Sequence, residues 1–453
     1  MGTTVGGPGP LGTNLGGSSA FLRATPMDFA SPQGLWDKTA EEPSAVGTLD
    51  GDLAVEVAII GGGFCGLSAA LHLAEAGVDA VVLEAETPGW GASGRNGGQV
   101  IAGLKIDPGE CVHKFGAEPG RALAKFGAGT ADLVFDLIER FQIRCEAHRN
   151  GWLQPAHGRA GVAAVAARVG DIQASGGNVE LVERERLAQL IGTKLYDCAM
   201  LDRRSGSVQP LGYARGLATA ALKAGARLFR EARVTSLEAR DGRWLLTTAR
   251  GRVSARHCLM ATNGYTGDLH PALHAAMIPV QSYQIATDPL PDALDRQVLP
   301  SRIPVSDLLY LGVYFRRDDA GRFIIGGRGS LTDHERPDLF RNIQRIAHVL
   351  YPALREIDFT LRWGGKLALT SDHLPRLVTI ERGLHAAYGC NGRGVALATS
   401  MGKLAAERIR GIEHPDLPIA NLPPARFPFY PLRLPAMAVI ARFKRLRTRF
   451  VRA

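Results

Sequence analysis

The sequence predicts a mixed α/β fold, α+β overall, with two domains. A β-branched run at residues 55–60, a glycine cluster, a helix-forming stretch and a second apolar run at residues 80–83 form a βαβ unit, which indicates a Rossmann-like domain. Short β-rich segments separated by turn residues follow at residues 280–287, 308–316 and 322–326. They predict a second domain built on an antiparallel sheet.

The composition is that of a globular protein. The chain has 453 residues, of which 45% are hydrophobic and 21% are charged, and these values exclude disorder and collagen. No apolar run approaches the roughly 18 residues that are needed to cross a bilayer. The first residues lack the basic start and apolar run of a secretory signal, so we expect a cytoplasmic protein.

The two ends of the chain differ in composition from the rest. Residues 1–50 are rich in glycine, serine and proline, and we expect a flexible N-terminal segment. Residues 413–453 form a basic extension, in which six arginine and lysine side chains and no acid follow Met437. We expect this basic segment to be a helix exposed to solvent that binds no nucleic acid. The alternative is that it contacts the surface of an anionic membrane.

The first glycine cluster has the pattern of a dinucleotide-binding turn. Residues 61–66 read Gly-Gly-Gly-Phe-Cys-Gly directly after a strand and at the start of a helix. Gly61 permits the turn, Gly63 lets the backbone approach a pyrophosphate, and Gly66 lets the helix pack closely on the strand. Glu84 ends the second strand, where an acid accepts hydrogen bonds from ribose hydroxyls.

A long loop after Glu84 indicates a cofactor larger than a nicotinamide dinucleotide. Residues 89–99 read Gly-Trp-Gly-Ala-Ser-Gly-Arg-Asn-Gly-Gly-Gln and offer hydroxyl, guanidinium and amide groups. In a plain nicotinamide-binding fold the third strand would follow after one more crossover, whereas this loop can wrap a larger ligand.

These motifs, with Ala-Thr-Asn-Gly at residues 261–264 and Tyr-Gly-Cys-Asn-Gly-Arg-Gly at residues 388–394, resemble the D-amino-acid-oxidase-like superfamily of FAD-dependent amine oxidoreductases. The resemblance covers about residues 31–430 and is nearest to the γ-glutamylputrescine oxidase branch. It implies a Rossmann-like FAD-binding domain of discontinuous segments and a separate substrate domain. We expect the FAD-binding domain to comprise residues 51–105, 206–266 and 380–412, and the substrate domain residues 106–205 and 267–379.

The resemblance also implies which residues contact FAD. Gly61, Gly63 and Gly66 would face the pyrophosphate, Glu84 the adenosine ribose, and the backbone of Val234 the adenine. The ribityl chain and the isoalloxazine ring would be lined by loop residues, namely Ala92, Ser93, Arg95, Asn96, Gly97, Gly98 and Gln99. The pyrimidine side of the flavin would meet Gly392, Arg393 and Gly394, because a helix start beside a cation stabilises the negative charge of reduced flavin.

Two departures from the superfamily bear on the chemistry. Residues 363–372 contain no cysteine, whereas some relatives attach flavin through a cysteine in this region, so we expect noncovalent FAD. Leu367 occupies the place of an arginine that clamps the substrate carboxylate in the amino-acid oxidases of the superfamily. An apolar side chain cannot form the bidentate fork that holds a carboxylate, so a simple amine is the more natural substrate.

The main candidates for contact with the substrate are Tyr265, Tyr314, Arg316 and Trp363, and Tyr283 is a further candidate of the same kind. A strand predicted at residues 308–316 would place Val313 and Phe315 in the core and Gly312, Tyr314 and Arg316 on the other face. That face would hold an amine by cation–π attraction, although an edge strand that faces water would show the same alternation.

No metal site is expected. His270 and His274 have helical spacing but lack a third ligand, and the six cysteines lie far apart without a Cys-x-x-Cys pair. We expect these thiols to be reduced and mostly buried. The serines lack a strand-elbow Gly-x-Ser-x-Gly pattern, so a hydrolase triad is excluded as well.

The expected function is therefore oxidation of a primary or secondary amine to an imine, which water hydrolyses to an aldehyde or ketone. Either O₂ or another electron acceptor would reoxidise the flavin, and the sequence does not distinguish them. One alternative is an amino-acid oxidase or dehydrogenase acting on a D-amino acid, glycine or an N-methyl amino acid, with Arg316 or Arg328 as the carboxylate clamp. Another is a non-catalytic binding protein that retains the fold. The exact substrate and the oligomeric state stay open.

Overall fold

The structure is a computed structural model that describes residues 34–41, 46–307, 311–329 and 337–424. Two large sheets and the helices packed on them form the predicted α/β fold. Numbered along the chain, the strands are β1 (Gly47–Thr48), β2 (Leu53–Ile60), β3 (Ala80–Leu83), β4 (Gln99–Val100), β5 (Trp152–Ala156), β6 (Val179–Glu183), β7 (Cys198–Asp202), β8 (Gly206–Ser207), β9 (Arg227–Arg230), β10 (Ser236–Arg240), β11 (Arg243–Thr248), β12 (Gly251–Met260), β13 (Ile278–Pro289), β14 (Val305–Asp307), β15 (Val313–Arg317), β16 (Arg322–Arg328), β17 (Leu361–Leu369), β18 (Arg376–Glu381) and β19 (Leu384–Tyr388). The helices are α1 (Leu35–Thr39), α2 (Phe64–Glu75), α3 (Pro108–Phe115), α4 (Ala117–Ala128), α5 (Thr130–Phe141), α6 (Gly158–Ala174), α7 (Arg184–Ile191), α8 (Pro210–Lys223), α9 (Pro271–Ala275), α10 (Asp292–Asp295), α11 (Pro337–Leu350) and α12 (Gly394–Ile409).

The first sheet has parallel strands at its centre, in the order β1-β9-β3-β2-β12. The N-terminal half of β12 pairs with the hairpin β10–β11, and its C-terminal end pairs in parallel with β19. The last four residues of β2, at positions 57–60, are all apolar and buried, because both faces of the sheet are covered there. Val57 and Ile59 face the helical layer, whereas Ala58 and Ile60 pack on the opposite side of the sheet.

Helices α2, α8 and α12 lie together on one face of this sheet, and α5 packs on α12. Gly402 lets α12 approach α2 closely, since a Cβ at this position would stand 2.3 Å from the carbonyl oxygen of Cys65. Because α2 follows β2 and α12 follows β19, both helices begin at the carboxyl edge of the parallel strands. This arrangement places two helix N-termini beside one another.

The second sheet has the order β17-β13-β16-β15-β14-β5-β7-β6. Its neighbouring strands are antiparallel except for the parallel contact of β14 with β5. The turn predicted at residues 318–321 joins β15 to β16. Helices α7 and α11 cover one face of the sheet, where Tyr283, Phe315 and Phe340 form part of a buried core. Strands β13, β15 and β17 lie closest to the loop that follows β3.

The prediction of a flexible segment over residues 1–50 is wrong for the described part of that segment. In helix α1 the side chains of Leu35 and Trp36 are 1% and 0% exposed, and β1 pairs with β9 of the first sheet. These two apolar side chains are buried against Trp363, Leu211 and neighbouring residues, which outweighs the loop-like composition of the surrounding sequence. Residues 1–33 and 42–45 lie outside the described residues.

The expected domain boundaries need three further corrections. The sequence predicts residues 106–205 in the substrate domain, but helices α3, α4 and α5 of this range pack their apolar faces into the core beneath the first sheet. Strand β18 also belongs to the first sheet, although it begins before residue 380. Of the basic extension, Leu417 and Ile419 are buried in the first core, and residues 425–453, with the predicted basic helix, lie outside the described residues.

Among the described residues, no helix combines the length and apolar character that a membrane span requires. Within the same residues, no group of three or more histidine, cysteine or acidic side chains is arranged to hold a metal ion. All six cysteines are unpaired, and Cys390 is the one that is only partly buried.

Candidate active site

A continuous cavity of about 2290 Å³ extends from the carboxyl edge of the first sheet to the second sheet. Ile60, Leu83, Ala261 and Tyr388 line it where four parallel strands end. Ligands of open α/β folds bind at this edge of the sheet. Pockets for drug-sized ligands occupy about 300–1,000 Å³, so this cavity has room for a dinucleotide and a second small molecule.

The first glycine turn has the geometry of a phosphate site. Gly61 has a φ of +105°, which side chains disfavour, and Gly63 is the cap residue that precedes α2. Both glycines line the cavity. Gly66 lies away from the cavity and serves packing, because a Cβ there would stand 2.0 Å from the carbonyl oxygen of Gly61. The turn therefore leaves the amides of the first turn of α2 accessible to an anion.

Glu84 joins the end of β3 to this turn. Its Oε2 accepts a hydrogen bond of 2.6 Å from the amide of Gly62, and its Oε1 accepts one of 3.0 Å from the amide of Glu86. Burial raises the pKa of the Glu84 carboxyl, although both hydrogen bonds favour the ionised form. Glu84 and Val234 line the same part of the cavity, where a ribose and an adenine would be accommodated.

The loop after β3 is shaped by its own side chains. The Nδ2 of Asn96 donates to the carbonyl oxygens of Ala92 and Ser93, at 3.1 and 2.8 Å. The Oδ1 of Asn96 accepts from the amide of Gly98 at 2.8 Å. The hydroxyl of Ser93 accepts a hydrogen bond of 2.9 Å from the amide of Phe64 at the start of α2. The loop is thus attached to the first glycine turn.

A third turn completes the site. The Oδ1 of Asn263 accepts a hydrogen bond of 3.0 Å from the amide of Gly389, and so connects residues 261–264 with residues 389–394. Asn391 has a φ of +50°, and its side chain bonds the carbonyl oxygen of Gly389 and the amide of Thr370. Gly392, Arg393 and Gly394 line the cavity at the start of α12. The structure therefore brings the three predicted glycine turns around one cavity.

Arg393 places positive charge beside this helix start. The residue is 5% exposed, and its Nη1 donates a hydrogen bond of 2.7 Å to the carbonyl oxygen of Ala102. Its Nε is buried and has no hydrogen-bond partner among the described residues. Burial lowers the pKa of the Arg393 guanidinium to about 9. A negatively charged ligand group at this end of the cavity would relieve that cost.

Two of the candidate substrate residues, Tyr314 and Tyr265, line the cavity. The ring of Tyr314 lies between Gly97 and Gly326, where added Cβ atoms would stand 2.6 and 2.4 Å from ring atoms. Its hydroxyl forms a hydrogen bond of 2.9 Å with Ser282, and burial raises its pKa to about 12, so the phenol is neutral. The hydroxyl of Tyr265 accepts a hydrogen bond of 3.1 Å from the backbone amide of Lys366.

The other two main candidates, Arg316 and Trp363, do not line the cavity. Trp363 is 2% exposed and donates a hydrogen bond of 3.1 Å from its Nε1 to the carbonyl oxygen of Arg95. Arg316 is 1% exposed, and its guanidinium carbon lies 4.9 Å from the centre of the Trp36 ring. Both side chains lie beneath residues 95–98, which cover them. The strand alternation identified the correct face, but it could not show that a loop lies over part of that face.

The remaining predicted loop residues differ in what they do. Arg95 stacks on Trp90, with its guanidinium carbon 4.0 Å from the ring centre, and burial lowers its pKa. Gln99 lines the cavity, and its side chain also bonds the carbonyl oxygen of Val305 at 3.0 Å. Gly98 does not line the cavity. It packs so closely on Val208 that an added Cβ would stand 2.1 Å from the carbonyl oxygen of that residue. The predicted residues that line the cavity are Gly61, Gly63, Glu84, Ala92, Ser93, Arg95, Asn96, Gly97, Gln99, Val234, Gly392, Arg393 and Gly394.

Several residues of the site were missed by sequence reasoning. Ser282 and Gln284 share one face of a strand that was predicted, so its period-2 alternation could have identified them. Gln284 donates from its Nε2 to the carbonyl oxygen of Arg95. Trp36 donates to the carbonyl oxygen of Asn96, but it lies in a segment whose composition indicates a loop.

The fold and the cavity together define a class of protein. Three glycine turns lie at the carboxyl edge of a parallel sheet, and a second sheet closes the cavity, which is the arrangement expected of a dinucleotide-binding oxidoreductase. The family model described as FAD dependent oxidoreductase (DAO) matches residues 56–408. The chain belongs to this DAO family of FAD-dependent oxidoreductases.

Sequence and structure comparisons agree on the family. The chain is 31% identical to gamma-glutamylputrescine oxidoreductase of Escherichia coli (strain K12) over 405 residues, which are 89% of this chain and 95% of that protein. It is 30% identical to a probable oxidoreductase, OrdL, of Haemophilus influenzae over 79% of this chain and 83% of that protein. A crystal structure of glycine oxidase from Geobacillus kaustophilus superimposes with a TM-score of 0.69 at 21% identity, over 82% of this chain and 99% of that one. The resemblance stated from the motifs is confirmed at the level of the family.

FAD is the cofactor of this family, and the residues present fit it. Gly61 and Gly63 form a cradle that side chains would fill, the start of α2 offers amides to the pyrophosphate, and Glu84 faces the expected ribose position. The unpaired Nε of Arg393 and the start of α12 suit the pyrimidine end of the flavin. The non-catalytic alternative is therefore set aside.

Proposed function

We propose that this enzyme oxidises a primary or secondary amine of the γ-glutamylputrescine kind to an imine, which water then hydrolyses to an aldehyde. The observation that carries the proposal is Leu367 on β17, which lines the cavity at the place where the sequence lacks a carboxylate-binding arginine. The 31% identity with gamma-glutamylputrescine oxidoreductase over nearly its whole length supports the same substrate class.

Bound FAD supplies the acceptor for a hydride from the carbon next to the amine nitrogen. The protein's contribution is to bind and orient the amine. The Tyr314 ring lines the cavity and is fixed by Gly97, Gly326 and Ser282. Tyr265 adds a second aromatic ring. Aromatic rings attract a cationic or partly charged amine, and glycines at 327 and 365 also line the cavity and leave space.

Arg393 and the start of α12 would hold the pyrimidine end of FAD and would stabilise negative charge there. A helix N-terminus and a buried guanidinium both favour negative charge, and both are fixed before the reaction. We infer that the flavin is held noncovalently, because residues 363–372 contain no cysteine. After amine oxidation, O₂ or another electron acceptor completes the cycle.

The second candidate function is oxidation of an amino acid, which the structural likeness to glycine oxidase favours. It requires a cation that reaches the substrate carboxylate. Arg316 is covered by residues 95–98, and the side chain of Arg328 lies outside the described residues. Lys366 lines the cavity next to Leu367 and would be a candidate cation for this role.

Anaerobic reduction of the holoenzyme tests the proposal. γ-Glutamylputrescine, putrescine and N-methylbutylamine are compared with glycine, sarcosine and D-alanine by following loss of the flavin absorbance. The proposal predicts rapid bleaching by the amines and little by the small amino acids. Bleaching by the amino acids alone would overturn it and favour the second function.

A further inference from the structure

Helix α1 contacts the loop after β3 through the side chain of Trp36. Trp36 is 0% exposed, and its indole Nε1 donates a hydrogen bond of 2.8 Å to the carbonyl oxygen of Asn96. Its ring packs edge-on against Trp363 at a centroid distance of 5.7 Å. A residue outside both predicted domains therefore reaches the underside of the loop that lines the cavity.

Trp36 is one of four side chains that we call the loop support, defined as Trp36, Gln284, Arg316 and Trp363. Gln284 and Trp363 both donate hydrogen bonds to the carbonyl oxygen of Arg95. The guanidinium of Arg316 lies against Gly98, with its Nη2 3.1 Å from an added Cβ. The four residues come from α1 and from strands β13, β15 and β17, so they join distant parts of the chain beneath residues 95–98.

These hydrogen bonds fix the direction of two peptide groups. In a planar trans peptide the N–H points opposite to the C=O. Because Trp36 holds the carbonyl oxygen of Asn96, the N–H of Gly97 points away from the loop support. Gln284 and Trp363 hold the carbonyl oxygen of Arg95, so the N–H of Asn96, which belongs to the same peptide group, also points away from the loop support. Asn96 and Gly97 line the cavity, so both N–H groups are presented to its contents.

Helix α1 is itself held in place from behind. The Nε2 of Gln209 donates a hydrogen bond of 2.8 Å to the carbonyl oxygen of Trp36 and one of 3.0 Å to the hydroxyl of Thr39. Arg215 forms an ion pair of 3.0 Å with Asp37 and donates at 2.8 Å to the carbonyl oxygen of Glu41. Arg215 therefore anchors the helix without touching residues 95–98.

Arg316 shows that the loop support is not ordinary packing. The next residue, Arg317, is also buried, but it pairs with Asp295 and donates to three backbone carbonyl oxygens. The Nε and Nη2 of Arg316 are buried without a hydrogen-bond partner among the described residues. The aromatic face of Trp36 stabilises this cation directly. A positive charge is thus retained behind the peptides of residues 96–98.

We propose that Trp36 is a positioning residue for the flavin. Through its hydrogen bond to Asn96 and its stacking on Arg316, it sets the orientation of the Asn96–Gly97 peptide, and thereby the affinity for FAD and the electrostatic environment of the isoalloxazine ring. Segment 34–41 is accordingly a part of the cofactor site. This role concerns the cofactor alone and holds for any substrate.

The test compares Trp36→Phe with a matched control, Trp244→Phe, in the full-length protein. Trp244 is also buried and donates its indole N–H to a backbone carbonyl, that of Arg382 at 3.1 Å, but it lies outside the cavity lining. Trp36→Phe is expected to raise the dissociation constant of FAD about fivefold, as the loss of one hydrogen bond implies. It should also shift the visible spectrum and the midpoint potential of the bound flavin. Trp244→Phe should leave all three unchanged.

Equal FAD affinity, spectrum and potential in Trp36→Phe and Trp244→Phe would overturn the proposal. If Trp36→Phe does not fold, Arg215→Ala provides the second test, because it releases α1 and leaves Trp36 intact. Its control is Arg252→Ala, which removes the exposed pair with Asp52. Weaker FAD binding in Arg215→Ala alone supports the proposal, and identical binding in the two arginine variants contradicts it.

Discussion

The hydroxyl of Ser93 accepts a hydrogen bond of 2.9 Å from the amide of Phe64, across 29 residues of sequence. Ser93 belongs to the loop after β3, whereas Phe64 is the first residue of α2. An added Cβ on Gly63 would stand 2.8 Å from the same hydroxyl oxygen. The loop and the glycine turn therefore form one unit, in which Ser93 of the loop caps the N-terminus of α2, a helix from a different part of the sequence.

Ser93→Ala should weaken both the helix start and FAD binding. The hydroxyl satisfies an otherwise unpaired helix amide, and loss of such a cap lowers the free energy of unfolding by about 1 kcal/mol. Urea unfolding of the apoprotein and FAD titration measure the two effects. Ser175→Ala is the control, since its hydroxyl bonds the carbonyl oxygen of Ile172 at the far end of α6. A Ser93→Ala variant with wild-type FAD affinity would contradict this role.

Gly66→Ala should abolish stable FAD retention. The new Cβ would stand 2.0 Å from the carbonyl oxygen of Gly61, so β2 and α2 must separate. Backbone displacement of this kind costs about 1–3 kcal/mol or more of unfolding free energy. Gly170→Ala in α6 has no atom within 4 Å of its added Cβ and should stabilise the protein slightly. Flavin content after gel filtration and thermal unfolding compare the two, and a fully loaded Gly66→Ala protein would refute the assignment.

Gly97→Ala should displace the ring of Tyr314, because its Cβ would lie 2.6 Å from a ring atom. If that ring binds the amine, KM should rise by about tenfold, which corresponds to loss of a partly buried cation–π contact. Gly161→Ala is the control. Gly161 also lines the cavity, but an added Cβ there would make an ordinary 3.5 Å contact with Ala156. Steady-state kinetics with the best amine of the panel separate KM from kcat. An unchanged KM in Gly97→Ala removes Tyr314 from the substrate site.

The pH dependence of apoprotein stability should carry the signature of Glu84. Burial raises the pKa of this carboxyl above its usual 4.5 in the folded protein, so the native state binds the proton more tightly than the unfolded chain. Its contribution to stability is complete below the unfolded pKa and is lost as the pH rises through the folded pKa. Glu84→Gln removes this loss, so it should gain stability relative to wild type between pH 4 and pH 7 in urea titrations. A difference independent of pH would refute the shift.

Leu367→Arg should move substrate preference toward carboxylated amines. Leu367 lines the cavity, so an arginine there would offer a bidentate site for a carboxylate. The ratio of kcat/KM for sarcosine to that for putrescine should rise by at least about tenfold, as a charge-assisted hydrogen-bond pair implies. Leu367→Met is the control that keeps the apolar character. An unchanged ratio would place the reacting nitrogen far from residue 367.

Local sequence patterns were sufficient for the cofactor fold. The turn at residues 61–66 needs glycine for steric reasons that involve only neighbouring strand and helix, so its motif could be recognised along the chain. The same holds for Glu84 at the end of β3 and for the turn before α12. Family and cofactor are confirmed by the comparisons, while the individual contacts to FAD and substrate stay predictions.

Long-range contacts account for what the sequence could not show. The domain predicted for helices α3 to α5 is wrong because the apolar pattern of an amphipathic helix shows that one face is buried. The pattern does not show which sheet covers that face. Arg316 is predicted in the substrate site because alternation along a strand reveals a face, whereas the loop at residues 95–98 that covers this face comes from elsewhere in the chain.

The sequence by itself determined the βαβ unit, its phosphate-binding turn and the FAD-dependent family, since each depends on short-range geometry that particular residue types impose. Only the tertiary structure decided that Trp36 joins the cofactor loop and that the tyrosines, rather than Arg316, reach the cavity. Those relationships depend on which segments pack together, and packing is selected by the burial of apolar surface over the whole chain.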